Sequence, residues 1–124
     1  MRTARDRGIS ANGNLLTKGI FEQWIEPLKD LEMTAVVGGT AAPTKEPGGT
    51  DSTSFSWIGL NGYGFMQDPL EYATRTHHSN MDLYDRVQAG DVMQGAAIEA
   101  WFVYNTATRA EMLPRNPTPS PLAK

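Results

Sequence analysis

Gly48-Gly49-Thr50-Asp51-Ser52-Thr53-Ser54-Phe55, followed further along by Thr76-His77-His78-Ser79-Asn80-Met81-Asp82, is the part of this sequence that decides how the chain is placed among folds. The first segment turns a Gly-rich loop into a helix and puts Asp51 where a carboxylate can accept hydrogen bonds from the first free amides of that helix. The second holds the only two histidines of the chain. Cysteine is absent, so thiolate metal sites, disulfides and cysteine nucleophiles are excluded, and a metal would have to be held by imidazole and carboxylate. His78 is the candidate donor. In an extended loop adjacent side chains point to opposite sides, so His77 and His78 are not expected to share one ion. A pair of surface histidines is the plain alternative. Asp82, four residues on, either orients the His78 imidazole or caps the turn into Leu83-Tyr84-Asp85.

Working outward, the segment before Asp51 is rich in Gly and Pro and reads as a long irregular loop. Thr34-Ala35-Val36-Val37, ended by Gly38-Gly39, reads as a short buried strand. Upstream, Ile20, Phe21, Trp24, Ile25, Leu28 and Leu31 recur at three- and four-residue spacing and predict an amphipathic helix, kinked or broken at Pro27. Residues 1–14 show no periodicity and read as a flexible lead-in, extended to residue 17. Downstream of Asp51, a short helix is expected to bury Phe55, Trp57 and Ile58 and to end at Gly59. Gly62 to Met66 reads as a second short strand, and residues 67–82 as a polar loop.

The last element is the most periodic. Val92, Met93, Ala96, Ala97, Ala100, Trp101, Tyr104 and Ala107 form a helical stripe from about 91 to 111 that would need a sheet or another helix to cover it, and Asp91 with Gln94 matches a capping box. Residues 113–124 form a Pro-rich tail without expected order. The order of elements predicts an α/β layer for residues 18–112. Two short strands do not make a self-sufficient sheet, and strand edges left open would allow self-association.

The chain has 124 residues, enough for one modest core. With 11 basic and 14 acidic side chains the net charge is −3, which leaves no broad cationic field for nucleic acid or anionic lipid. No apolar run reaches the roughly 20 residues of a membrane span, and the basic N-terminus is not followed by a signal-length apolar run. Gly38-Gly39-Thr40 lacks the Lys of a phosphate loop, and Ser52, Thr53 and Ser54 lack a Gly-x-Ser-x-Gly elbow.

Across Gly49-Thr50-Asp51 with Ser54-Phe55, Gly59-Leu60 with Gly62, Phe65-Met66-Gln67-Asp68-Pro69, His77-His78-Ser79-Asn80-Met81-Asp82 and Arg109 to Arg115, the chain resembles the C-terminal part of the zinc-dependent exopeptidases of metallopeptidase family twenty-eight. That group contains bacterial leucyl aminopeptidases and glutamate-carboxypeptidase-like enzymes. The resemblance implies a partial α/β/α domain with few short strands and a long C-terminal helix. It implies that His78 is the last zinc ligand and that Asp51 lies beside the metal centre without ligating. Asp82 would then stand behind the ligand, and Phe65, Gln67 and Tyr72 would flank a peptide-binding pocket. Ser52 stands where the family has His, and Asn61 where Pro is common. Family enzymes hold two zinc ions through an upstream His-x-Asp, a bridging Asp, a Glu-Glu pair and a further acidic ligand, and neither His-x-Asp nor Glu-Glu occurs in this chain. The expectation is therefore a C-terminal fragment of a peptide-hydrolysing enzyme, inactive alone. The rival is a non-catalytic binding or assembly module on the same fold. Relatives are often exported, which nothing in this N-terminus reflects.

Overall fold

The computed structural model describes residues 4–38 and 49–115. A three-stranded sheet is laid down in the order β2-β1-β3, with β1 (Asp6–Ser10) in the centre, β2 (Ala35–Val37) parallel to it and β3 (Gly64–Gln67) antiparallel. Gly8, Ile9 and Ser10 face Ala35, Val36 and Val37 on one side. Ile9 and Ser10 face Phe65 and Gly64 on the other, with an irregularity in register between Asp6 and Gly8. Gly8 is required here, because a Cβ at that position would lie 2.7 Å from the Ala35 carbonyl oxygen.

The parallel pair β1–β2 is joined by helix α1 (Leu15–Trp24) and a 3₁₀ segment (Glu26–Leu31), the crossover that parallel strands need. Asn14 caps α1 by accepting from the Thr17 amide at 3.1 Å. The break expected at Pro27 is present: α1 ends at Trp24, and Pro27 sits in the first turn of the 3₁₀ segment, where its missing N–H costs nothing. The predicted stripe is the inner face, with Phe21, Ile25 and Leu28 buried and Ile20, Trp24 and Leu31 packed around them.

Helix α2 (Asp51–Trp57) and helix α3 (Ala89–Thr108) follow, the latter 20 residues long. Ile98 and Phe102 of α3 close the core over Ile9, Phe21, Ile25, Leu28 and Met33. Aromatic edges lock the contact: Phe102 meets Phe21 at 5.2 Å, Phe65 at 5.4 Å and Trp24 at 5.8 Å between ring centroids. The result is a small mixed α/β unit, the coarse class expected.

Four expectations are corrected. The flexible lead-in of residues 1–17 is not what the structure has, since Asp6–Ser10 is the central strand and α1 begins at Leu15. Most of the α3 stripe faces outward, with Val92 55%, Met93 68% and Tyr104 63% exposed; of its members Trp101 alone packs against the core, its indole N–H donating to the Trp24 carbonyl at 2.8 Å, while Asp91, Gln94, Ile98 and Phe102 face inward. Asp91 and Gln94 are consequently no capping box; Gln88 occupies the cap position without a side-chain bond. In α2 no residue is buried, and Phe55 and Ile58 stay 51% and 42% exposed.

At the start of the expected Pro-rich tail, Leu113 packs against the core and the Pro114 carbonyl accepts from Asn14 Nδ2 at 2.7 Å. Residues 116–124, and the loop from 39 to 48, lie outside the described residues. Among the described residues, no helix is long and apolar enough to cross a membrane.

Candidate functional site

The histidine loop is built by a short π-type turn over Tyr72–Thr76, whose last exposed amide, that of His77, donates to the Tyr72 carbonyl at 2.8 Å. Ser79 ties the next turn by donating from Oγ to the Arg75 carbonyl at 2.6 Å and accepting from the Met81 amide at 3.2 Å. His78 lies between these ties with φ +52°, in the left-handed region, which Asn, Asp and His enter more readily than most residues. That one dihedral changes the expected geometry. The two imidazoles do not diverge but meet edge to face with ring centroids 4.0 Å apart, and Tyr72 stands against His77 at 4.7 Å.

Both histidines are exposed, and among the described residues no side chain hydrogen-bonds the His78 ring. Asp82 is exposed as well. Its amide donates to the Ser79 carbonyl at 3.3 Å, no hydrogen bond joins its carboxylate to His78, and Leu83 rather than Asp82 holds the cap position of the following 3₁₀ turn. Neither role expected of Asp82 is present in this conformation. Asp51 is the first residue of α2, not its cap: Thr50 takes that place, and Thr53 Oγ1 donates to the Thr50 carbonyl at 2.7 Å. An acidic residue in the first turn still complements the helix dipole.

The residues expected to flank a peptide pocket separate in space by role. Phe65 belongs to the core through its ring contact with Phe102. Gln67 hydrogen-bonds the buried carboxyl of Asp6, and Tyr72 is 56% exposed beside the histidines. A concavity among the described residues lies elsewhere, a hollow of about 10 Å³ lined by Asn12, Asn14, Ser56, Asn61 and Tyr63, with room for about one water molecule. Its polar groups are already engaged. Asn14 Nδ2 donates to the Pro114 carbonyl, Asn61 Nδ2 to Leu113 at 3.3 Å, Ser56 Oγ to Gly62 at 3.2 Å and Tyr63 Oη to Thr17 Oγ1 at 3.0 Å. Burial pushes the Tyr63 phenol above its ordinary value.

Asp91 and Gln94, expected as a capping box, instead form a polar centre between β1 and α3. Gln94 accepts from the Asp6 amide at 2.9 Å and donates to the carbonyls of Asp6 and Leu31, each at 2.8 Å. Asp91 accepts from the Ala4 amide at 2.6 Å and pairs with Arg5 at 3.5 Å. The signal was in the sequence: Asp91, Gln94, Ile98 and Phe102 follow one another at helical spacing and so share one face.

Zinc requires at least three protein donors. Among the described residues no three His, Asp or Glu side chains come together to hold an ion, so the donors they supply do not by themselves fit the two-zinc site implied by the resemblance. Comparison with family models, with curated proteins and with solved structures returns no match for this chain. Fold and site together define a small α/β chain with an exposed imidazole pair.

Proposed function

We propose that this chain is the C-terminal portion of a zinc exopeptidase domain of the family-twenty-eight type, that it contributes His78 as one metal donor, and that it does not hydrolyse peptides by itself. The observation that carries the reading is the conformation of the histidine loop. A left-handed His78 between two hydrogen-bonded turns holds an imidazole outward, beside that of His77, with no hydrogen bond to a described side chain to give up. Such a group suits a metal whose remaining ligands come from outside the described residues. Among the described residues nothing pairs with the outer edges of β2 and β3, which supports the same reading, since a larger domain would continue the sheet.

Inactivity follows from the donor set. One pair of neighbouring imidazoles supplies neither the carboxylates nor the general base that peptide hydrolysis at zinc needs. Purified chain is expected to carry zinc well below one ion per molecule by elemental analysis and to show no turnover of chromogenic amino-acid amides. Added zinc should shift the imidazole NMR signals of His77 and His78 weakly and reversibly, and His78→Ala should abolish the shift. Stoichiometric tight zinc with turnover would overturn the inactivity, and imidazoles indifferent to zinc would remove the donor assignment.

The non-catalytic module is favoured by one separate observation: α2 leaves Phe55 and Ile58 uncovered, an apolar surface of the kind that recruits partners.

A further inference from the structure

We infer that the outward face of α3 is a coiled-coil seam that pairs with a second copy of this chain, antiparallel and two-fold. Surface helices ordinarily turn charges to water. In α3 the only charged residues are Asp91, which is buried, and Glu99. The exposed face is instead lined by Ala89, Met93, Ala96, Ala100, Val103 and Ala107, spaced 4-3-4-3-4, which is the a/d alternation of a heptad seam. Val92 and Tyr104 flank it, and Glu99 lies to one side. The seam runs most of a helix about 30 Å long.

The order of side-chain sizes identifies the occupant. Read from either end it runs small, large, small, small, large, small, so a helix turned end for end presents matching layers to its copy. Ala89 of one copy meets Ala107 of the other, Met93 meets Val103, and Ala96 meets Ala100, with the central alanines allowing close backbone approach. An uncharged seam offers nothing to select an unlike, charged partner, whereas it is complementary to itself. The area is sufficient. With Val92, Met93, Val103 and Tyr104 between 55% and 68% exposed, the face would bury roughly 600 Å² on each copy, and about 1,200 Å² in the pair reaches the lower range of specific interfaces. This inference is independent of the peptidase reading, since it uses no residue of the histidine loop.

Sedimentation equilibrium of the full chain tests it. A monomer–dimer equilibrium with a Kd of roughly 1–50 μM is expected, and Ala96→Glu with Ala100→Glu should weaken it at least about tenfold by placing charges in the seam. Both positions are exposed, so far-UV circular dichroism of the variant should show the parent's helix content, and well below the Kd its melting should stay cooperative and within a few degrees of the parent. Because the chain has no cysteine, mixing Ala89→Cys with Ala107→Cys chains under oxidation reads the direction. Mixed disulfide dimers in excess over like-with-like dimers are expected. A monomer across that concentration range, open-ended aggregation, or a dimer indifferent to the glutamates overturns the seam, and predominantly like-with-like disulfides overturn its antiparallel order.

Discussion

At the scale of single residues, Asp6 is the most consequential group in the molecule. It is 1% exposed, its Oδ1 has no hydrogen-bond partner, and it lies where Gly95 allows α3 to approach, a Cβ at that glycine falling 3.0 Å from Oδ2. Burial pushes its pKa above 3.8, a hydrogen bond from Gln67 opposes the rise, and the nearby charge of Glu99 adds to it. The folded state therefore holds this proton more tightly than the unfolded chain does. Its contribution to stability is full below pH 3.8 and is lost as pH rises through the folded-state value. Asp6→Asn keeps the shape and removes the charge. Its melting temperature at pH 7 is expected to exceed that of the parent by roughly 2–6 °C, corresponding to about 1 kcal/mol, with the gap closing as pH is lowered. Differential scanning calorimetry of the two proteins from pH 7 to pH 3.5 checks both the sign and the closing.

Between elements, the joint that matters is β1 against α3, and Gln94 makes it. Its side chain satisfies the amide and carbonyl of Asp6 and the carbonyl of Leu31 at once, so Gln94→Ala leaves buried backbone groups without partners. A loss of about 2–4 kcal/mol in urea unfolding is expected, while an unchanged midpoint would mean that water replaces the amide without cost. This joint also explains where the sequence could and could not be read. The first helix and its break at Pro27 were legible because large apolar side chains mark the buried face; the strand Ala35–Val37 was legible from its β-branched pair, although it is half-buried to exposed and not the buried strand expected. In α3 the existence of the helix was legible but its orientation was not. The outer stripe has more apolar residues, yet the buried face carries only Ile98 and Phe102 as apolar side chains, plus two polar side chains that strand β1 needs for its backbone, so counting apolar positions points to the wrong side. Strand β1 escaped notice for the same reason. In Asp6-Arg7-Gly8-Ile9-Ser10 only Ile9 is apolar, and Arg7 is held by Asp68 at 2.6 Å and by Glu32, contacts remote in sequence. At the histidine loop the residues were visible, but the left-handed turn that brings the two rings together was not, since φ at His78 is set by the turns on either side.

For the whole molecule, the arrangement makes β1 the single strand on which the sheet depends. Among the described residues β2 and β3 are not paired with each other and each pairs only with β1, and Ile9 brings that strand into the same core as α1 and α3. A lead-in without structure could be removed at little cost, whereas a central strand cannot. Deleting residues 1–10 would leave two strands of 3 and 4 residues with no partner between them, too little for a sheet by itself. It would also uncover Phe21, Ile98 and Phe102, and remove the bonds of Gln94 to Asp6 and of Asp68 to Arg7. The truncated chain is therefore expected to lose its cooperative thermal transition and to bind a hydrophobic dye, with helical circular dichroism reduced but not abolished because α1 and α3 keep their local preferences. A sharp melt within a few degrees of the parent would show that the helices alone organise the core, and the sheet could then no longer be the frame that positions the histidine loop beyond β3.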